Sequence, residues 1–443
     1  MADETLRADA LPVAIGAREA PDERAERTDS ILESLRIRNF RFLWMGTVFS
    51  SVGHFVQQVS IGWLIYDLTG SGALLGGING MRSISMIGLA PFTGLIVDWM
   101  DRRSLMLFAS VFLMATSVGL AVLAALDMVE VWHLFVFMFI FGGAQTFDQT
   151  VRQTATFDLV PRPLIPNAIA LNTAGFGITR SFGPSMSGFL LAGIGVAGNF
   201  FVQGGTYLAA ALTRLFIKFP ARINAVRGGF SFDNFMQGLA HVSRDPVTRT
   251  FVLLGMIPPL FLIPTFLALM PIFAKDVYDG GPETLGLLAS SVGIGGFLGS
   301  VFTASLGWFE RRGIIQLVSL FVFASALFAF SSVGSLALAF PILALAGFAE
   351  MIYMTTNQTL LQLSVPNELR GRVTSLLMLN MGIVPIGGLF AGFSADAIGP
   401  QTTLKIMCGG ALVIGLLVAL FASSVRNLKL SEFAAERELI QAG

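Results

Sequence analysis

Four ionisable side chains stand inside long apolar stretches of this sequence, and their chemistry is the first clue to what the chain does. They are Glu350, Arg82, Arg180 and His54. A charge at the centre of an apolar layer costs at least roughly 2.5 kcal/mol on insertion scales, so such residues are functional candidates by default. Glu350 stands about 18 Å of helix, at ~1.5 Å per residue, from the end of its stretch. An isolated carboxyl there favours its protonated form, which suits it to carry a proton.

Each of these residues also has a purely structural interpretation. Glu350 is then a neutral acid, or one partner of an ion pair that holds helices together. Each arginine either pairs with an acid or binds an anionic substrate, and a structural pair is an equal alternative for both. His54 is a candidate for titration near neutral pH, and its alternative is a hydrogen-bonded packing residue.

Several amide side chains and one pair of oppositely charged residues in the same stretches are further candidates. The amides that would supply polar contacts along a pathway are Gln57, Gln58, Asn79, Gln145, Asn172 and Asn357. Some of them instead bond one helix to another. Asp148 and Arg152 are one helical turn apart, and this spacing predicts a gate at one end of their helix.

The amino-acid composition indicates the class of protein to which these residues belong. It has 443 residues, of which 54% are hydrophobic and 13% charged, whereas a soluble domain has about 25% charged residues. This excludes a soluble enzyme, a disordered chain and a nucleic-acid-binding protein. Lys+Arg and Asp+Glu are equal at 28 each, and the single cysteine excludes disulfides within the chain and any cysteine-rich metal site. We expect no metal and no cofactor.

Apolar segments long enough to span a bilayer, about 20 residues, recur along the whole chain. The predicted spans are 40–66, 72–98, 104–126, 131–154, 166–192, 198–218, 250–274, 284–307, 314–333, 336–361, 372–396 and 402–424. The fold class is therefore an all-α polytopic membrane protein, with twelve transmembrane helices in two pseudo-symmetric six-helix halves. The halves are 39–218 and 250–424.

Three hydrophilic regions complete this organisation. Residues 1–38 form a disordered cytoplasmic tail, and 425–443 form a second cytoplasmic tail. The central cytoplasmic loop, 219–249, contains an apolar helical face of Phe232, Phe235, Met236, Leu239 and Val242. This face predicts an amphipathic helix that lies on the membrane or braces the two halves, the alternative being a docking site for a partner.

The positive charges give the orientation. All but four of the 28 lysines and arginines fall on one side of the predicted spans, and Arg214 is counted there with the central loop. The exceptions are Arg82 and Arg180 within spans, and Lys275 and Lys405 on the opposite side. The charge-rich side is expected to be cytoplasmic, with both termini on it.

The two halves repeat each other. Gln153, Pro161, Gly177 and Gly183 recur as Gln358, Pro366, Gly382 and Gly388, each pair being 205 residues apart. A second match, Asp101-Arg102-Arg103 with Glu310-Arg311-Arg312, stands at the corresponding place after the second span of each half. Repeated halves around a central pathway are typical of secondary transporters.

The turn after the second span carries a family resemblance. The residues that match are Gly94, Asp98, Arg102 and Arg103. They resemble the loop signature of the major facilitator superfamily, with Asp101 in place of the usual second glycine. The resemblance implies that Asp98 and the basic pair form a cytoplasmic latch. It implies as their counterpart the start of the eleventh span, near Arg370 and Arg372, where a helix N-terminus carries about half a positive charge.

Further motifs place the chain near one branch of that superfamily. Asn39-Phe40-Arg41 and Leu269-Met-Pro271-Ile-Phe273-Ala-Lys275-Asp276 look like segments of bacterial exporters that include enterobactin exporters and transmembrane secretion effectors. Many members have an acid after the glycine at Gly53, where this chain has His54. Gly183-Pro184 and Gly188 resemble the antiporter motif of drug exporters. This implies export, the alternative being simple tight packing.

Together these observations predict a proton-coupled exporter of small amphipathic molecules, such as siderophores or drugs, that works by alternating access. We expect a monomer in the bacterial inner membrane, with protons as the coupling ion. The alternatives are an importer or uniporter of a small organic solute, and a transporter-like receptor that transports nothing. An enzyme is not expected, because the sequence contains no HExxH, GxSxG or Walker A motif.

Overall fold

The computed structural model describes residues 32–219, 240, 242–305, 310–365 and 370–421. Within helices it describes only the backbone of 90–91, 94–95, 97–99 and 370–382. Of the tail predicted over 1–38, residues 1–31 lie outside the described part, and Glu33–Arg36 form a short 3-10 helix. Most of the predicted amphipathic helix and the tail over 425–443 also lie outside it. All regular secondary structure in the described part of the chain is helical.

The helices follow the predicted spans closely. In chain order they are α1 (Arg38–Thr69), α2 (Gly72–Trp99), α3 (Arg102–Ala125), α4 (Val131–Leu159), α5 (165–194), α6 (196–215), α7 (Pro246–Val277), α8 (Pro282–Ser305), α9 (Arg312–Phe330), α10 (Leu336–Ser364), α11 (Arg370–Ile398) and α12 (Pro400–Phe421). In the described residues, eight helical runs are long and apolar enough to cross a membrane by length and composition. One of these runs contains both α5 and α6.

Local sequence signals explain where several helices begin and end. Gly70 has a φ of 61°, a left-handed conformation that ends α1 at low cost because glycine has no Cβ. Asp101 begins α3 by accepting a hydrogen bond from the Ser104 amide at 2.9 Å. Gly195 has a φ of 71° and a ψ of −178°, and this residue breaks the long run into α5 and α6. The predicted spans 166–192 and 198–218 place a joint at this position.

Helix α7 is irregular along its length. It contains three π-helical turns, Pro258–Leu262, Thr265–Leu269 and Phe273–Val277. Proline lacks the backbone N–H that a regular helix needs, and Pro258, Pro259, Pro264 and Pro271 all fall in this segment. These four prolines in the seventh predicted span indicate a broken helix from the sequence alone, and the structure has one.

The bundle has two ends, which differ in the parts of the chain that lie there. The terminal face is the end at which α1 begins and α6 ends, where the Asn39 amide donates to the Lys218 carbonyl at 3.0 Å. The hairpin face is the opposite end, where α1 turns into α2 at Gly70. Helices α1 to α6 form the first half and α7 to α12 the second, each filled by buried aromatic and aliphatic side chains such as Phe141 and Phe323.

The halves meet along two helix pairs, α2 with α11 and α5 with α8. A Cβ atom added at Gly392 of α11 would lie 2.0 Å from the Gly72 carbonyl oxygen of α2. One added at Gly286 of α8 would lie 2.5 Å from the Pro184 carbonyl oxygen of α5. Such separations require glycine, and small residues at helix interfaces in membranes allow this close approach.

Candidate functional site: the cavity between the halves

A cavity of about 560 Å³ lies between the halves, from the middle of the bundle toward the terminal face. The first half contributes Ser50, His54, Asn79, Arg82, Gln145, Asp148, Arg152 and Tyr207. The second half contributes Pro259, Ile263, Leu267, Met354, Asn357, Gln358, Val384 and Pro385. The wall of the first half is thus mainly polar and charged, although Met86, Leu113 and Phe176 also line it, while that of the second half is mostly apolar with two amides. This contrast suits an amphipathic molecule of small size.

Several predicted site residues meet at this cavity. The ones that line it are His54, Asn79, Arg82, Gln145, Asp148, Arg152 and Asn357. Gln57 and Gln58 line a second, much smaller cavity of about 30 Å³ on the hairpin side, together with Asn79 and Arg82. Asn172 lies elsewhere, where its amide donates to the Thr156 hydroxyl at 3.3 Å between α5 and α4. Arg82 alone among the described charged residues borders both cavities.

His54 sits on the polar wall, held from two sides. Its Nδ1 atom lies 2.9 Å from the Gln145 amide nitrogen on α4. Because an amide nitrogen only donates, the ring nitrogen accepts in this arrangement. The Phe55 ring packs edge-on against the imidazole at 5.3 Å. The hydrogen bond to Gln145 fits the interpretation of His54 as a packing residue. Its position in the cavity lining fits a functional role.

A buried ion pair stands beneath the polar wall. The Arg214 Nη1 atom lies 2.6 Å from Asp148 Oδ1, and the side chains are 1% and 5% exposed. Arg214 also donates to the Met106 carbonyl at 3.0 Å, to the Ser50 hydroxyl at 2.9 Å and to the Ser110 hydroxyl. Arg152, the predicted partner of Asp148, is 4.0 Å away.

Sequence reasoning missed Arg214 by counting it as a charge of the central loop. The structure corrects this, because the residue is fully inside the first half. A signal was available, since Arg214 falls within the span predicted at 198–218 rather than beyond it. Its role in fixing Asp148 depends on α3, α4 and α6 meeting, which no local pattern reveals.

The two remaining intramembrane charges form an ion pair between the halves. Arg180 Nη2 on α5 lies 2.7 Å from Glu350 Oε2 on α10. The Glu350 side chain is 9% exposed and that of Arg180 22%. Glu350 is therefore not isolated, and the pairing alternative noted from the sequence is the one the structure has. The pair lies beside the α5–α8 contact, where the Arg180 backbone meets Gly293.

The residues of the antiporter-like motif pack α5 against both halves. A Cβ at Gly183 would lie 2.8 Å from the Phe55 Cβ atom on α1. A Cβ at Gly188 would lie 2.6 Å from the Pro282 carbonyl oxygen on α8. Pro184 borders the small cavity on the hairpin side. The motif thus permits the close approach of helices next to the pathway.

The predicted cytoplasmic latch is only partly described. Arg102 forms an ion pair with Asp158 at the end of α4, and the Arg103 guanidinium donates to the Leu215 carbonyl at the end of α6. Both contacts join helices of the first half. The side chains of Asp98, Arg370 and Arg372, and the surroundings of Gly94, lie outside the described residues.

The hairpin face is closed by contacts that the sequence did not predict. Lys275 on α7 pairs with Asp67 on α1 at 2.6 Å, and the Tyr66 hydroxyl donates to Asp276. Asp396 at the end of α11 accepts from the backbone amides of Gly72 at 2.7 Å and Ala73 at 3.0 Å. All three ties connect the first half to the second.

Comparisons with known proteins agree with this architecture. The family model for transmembrane secretion effectors matches residues 29–439. The staphyloferrin A transporter of Staphylococcus aureus is 22% identical, over 86% of this chain and 95% of its own. The multidrug efflux pump Tap of Mycolicibacterium fortuitum is 24% identical over the same shares. The macrolide efflux protein A of Streptococcus pyogenes is 20% identical, over 88% of this chain and 97% of its own.

Solved structures support the fold. A bacterial homologue of the human lysosomal transporter Spinster, in an inward-facing and unoccupied conformation, superposes with a TM-score of 0.70 and 16% identity. It covers 87% of this chain and 96% of that one. The family and these relatives are transporters, not enzymes, and their substrates are small molecules. The chain is a multi-pass membrane protein that belongs to the transmembrane secretion effector family of the major facilitator superfamily.

Proposed function

We propose that this protein exports small amphipathic organic molecules across the bacterial inner membrane by alternating access, in exchange for protons. The observation that carries the proposal is the cavity between the halves, polar on one wall and apolar on the other, which the hairpin face closes at one end. Relatives named for efflux of drugs and macrolides, and one named for a siderophore, support export. A monomer is part of the proposal, since both walls of the cavity come from one chain.

The terminal face is the cytoplasmic one in this proposal. Arginines and lysines concentrate on the loops of that side, with Lys275 and Lys405 as the two exceptions on the hairpin face. Both chain ends are then cytoplasmic, and 39–218 and 250–424 act as the two moving halves. The cavity accepts its substrate from the cytoplasm or the inner leaflet.

Release requires the halves to rock about the α2–α11 and α5–α8 contacts. In the structure the hairpin-face ties hold the outer end shut. Opening outward breaks Lys275–Asp67, Tyr66–Asp276 and the Asp396 contacts, and closes the terminal face. The family latch of Asp98 with the start of α11 stabilises this second state, because a carboxylate is favourable at a helix N-terminus. This latch role is part of the proposal.

Proton coupling is assigned to the Glu350–Arg180 pair. A proton on Glu350 removes its charge and with it the attraction between α5 and α10 across the halves. Protonated and ionised forms therefore differ in how strongly the halves are held at this point, which is what coupling requires. The pair is formed in the arrangement of the structure, and it separates when α5 and α10 move apart.

The test uses purified protein in liposomes with a pH-sensitive dye inside. Siderophores, dyes and macrolide antibiotics are offered under an imposed proton gradient. We expect substrate-dependent proton flux in the wild type and its loss in Glu350→Gln. The matched control is Glu310→Gln, the same change at an exposed glutamate on the terminal side of α9, which should retain the flux.

Each other outcome decides against part of the proposal. A Glu350→Gln protein that still drives substrate uphill removes Glu350 from the coupling role. Substrate that equilibrates without proton movement identifies a uniporter or another coupling ion. If neither substrate nor protons cross the membrane, the result favours a receptor that resembles a transporter.

A further inference from the structure

The charges on the polar wall of the cavity do not balance. Three arginines, Arg82, Arg152 and Arg214, stand on or directly beneath this wall, with Asp148 as the one described acid among them. The residues that the second half contributes to the cavity are uncharged. The described lining of the cavity therefore carries an excess of positive charge, although the net charge of the chain is zero.

Asp148 is already engaged and does not neutralise the arginines that face the cavity. It lies 2.6 Å from Arg214, which is 1% exposed and bonded to two further helices. Its distance to Arg152 is 4.0 Å, the limit of an ion pair. Arg152 is 20% exposed and borders the cavity, so its guanidinium retains capacity to bind an anion.

Arg82 is the stronger candidate because it makes no ion pair with any residue that the structure describes. Its stem is held against α4, where a Cβ at Gly142 would lie 2.5 Å from the Arg82 carbonyl and 3.0 Å from its Cγ atom. A cation without a counter-charge in an apolar surrounding is costly. An anion that binds in the cavity offsets this cost.

We infer that the cavity is built for amphipathic organic anions. Arg82 binds a carboxylate or an equivalent acidic group of the substrate, Arg152 provides a second positive charge, and the apolar body packs against Pro259, Ile263, Leu267 and Val384. Arginine suits this task because its planar guanidinium donates two parallel hydrogen bonds to a carboxylate. The inference rests on the proposed function, since it names the substrate class of the same cavity.

The test compares matched probes that differ only in charge. They are 7-diethylaminocoumarin-3-carboxylate with its carboxamide, and N-dansylglycine with N-dansylglycinamide. Binding is measured by fluorescence anisotropy on protein in nanodiscs of zwitterionic lipid, so that anionic lipid does not compete. The wild type should bind each carboxylate at least about tenfold more tightly than its amide, the usual value of a charge-assisted hydrogen bond.

Variants assign this preference to Arg82. In Arg82→Gln the ratio of the two affinities should fall toward one, while Arg82→Lys should keep part of it. The matched control is Arg162→Gln, the same change at an exposed arginine outside the cavity, which should leave the ratio unchanged. A wild-type ratio near one overturns the inference. A wild type that binds none of the probes overturns it as well. So does an unchanged ratio in Arg82→Gln, or an equal loss in the control.

Transport of the same probes separates this inference from the proposed function. If liposomes export neutral dyes and show no preference for carboxylates, the protein is an exporter and the anion site is wrong. If carboxylates bind preferentially through Arg82 but no compound crosses the membrane, the anion site stands and the export function fails.

Discussion

At the scale of single residues, the most consequential contact is the buried pair of Asp148 and Arg214. Replacing Arg214 by methionine, an unbranched and uncharged side chain, removes the close counter-charge of the buried Asp148 carboxylate and leaves only Arg152, 4.0 Å away. Removing one partner of a buried pair costs about 3–5 kcal/mol. We expect Arg214→Met to lower the free energy of unfolding by this amount, measured by denaturation in mixed micelles.

The control and the double variant make this prediction specific. Arg162→Met, at an exposed arginine, should change the free energy of unfolding by less than about 0.5 kcal/mol. Asp148→Asn combined with Arg214→Met should recover part of the loss, because the buried carboxylate that lost its close partner is then neutral. Equal losses in the single and double variants would mean that Arg214 stabilises through its bonds to Ser50 and Met106 rather than through Asp148.

The sequence was sufficient to identify the residues that carry charge inside the membrane. It was not sufficient to identify the residues with which they pair. Glu350, Arg180, Arg82 and Asp148 were all recognisable, because a charge in an apolar run is conspicuous. Their partners were not, since Arg180 and Glu350 are separated by 170 positions along the chain. Pairing is set by which helix faces meet, and several arrangements of twelve helices satisfy the same hydropathy pattern.

At the scale of helices, the close contact of α2 with α11 depends on glycine. A Cβ at Gly76 would lie 2.4 Å from the Gly388 carbonyl oxygen, and one at Gly392 would lie 2.0 Å from that of Gly72. Both neighbours are backbone atoms that cannot rotate away. We expect Gly76→Ala to cost about 1–3 kcal/mol, the usual cost of overpacking, and to lower the thermal midpoint.

The chain provides its own reporter for this measurement. Cys408 on α12 is the one cysteine and is buried, so a thiol-reactive fluorophore becomes bright only when the protein unfolds. The matched control is Gly88→Ala on the same helix, where an added Cβ meets no atom within 4 Å. If the two substitutions shift the midpoint equally, the α2–α11 contact has more room than the structure gives it.

The helices themselves were predictable from the sequence. All twelve predicted spans correspond to observed helices, because hydropathy and glycine or proline punctuation act locally. The break at Gly195 and the irregular α7 were equally visible. The crossings were not, because glycines in Gly-xxx-Gly spacing mark a close approach without naming the helix on the other side. Gly76 and Gly392 come from opposite halves, and only the three-dimensional fold joins them.

At the scale of the whole molecule, we expect the hairpin-face ties to determine which of the two proposed states is populated. The ties differ in strength. Lys275 and Asp67 are 37% and 52% exposed, and an exposed ion pair contributes about 0–1 kcal/mol. Asp396 instead accepts from two backbone amides at the N-terminus of α2, and loss of such a helix cap costs about 0.5–2 kcal/mol. The Asp396 contact should therefore outweigh the Lys275–Asp67 pair.

We predict that Asp396→Ala shifts the protein toward the state that is open at the hairpin face. Because about 1.4 kcal/mol corresponds to tenfold in an equilibrium, the loss of the cap should raise that population roughly 2- to 30-fold. Spin labels at Met128 and Ser332, exposed residues of the two halves near this face, report it as a longer distance in pulsed electron resonance. Cys408 is replaced by alanine in this background.

Matched lysine substitutions test the ranking of the ties. Lys275→Gln should lengthen the distance distribution only slightly, because its ion pair is half exposed. Lys405→Gln, at an exposed lysine of the same face outside the ties, should leave it unchanged. If Asp396→Ala has no larger effect than Lys405→Gln, the cap on α2 does not hold the outer end shut. Closure then rests on the remaining ties, Lys275 with Asp67 and Tyr66 with Asp276.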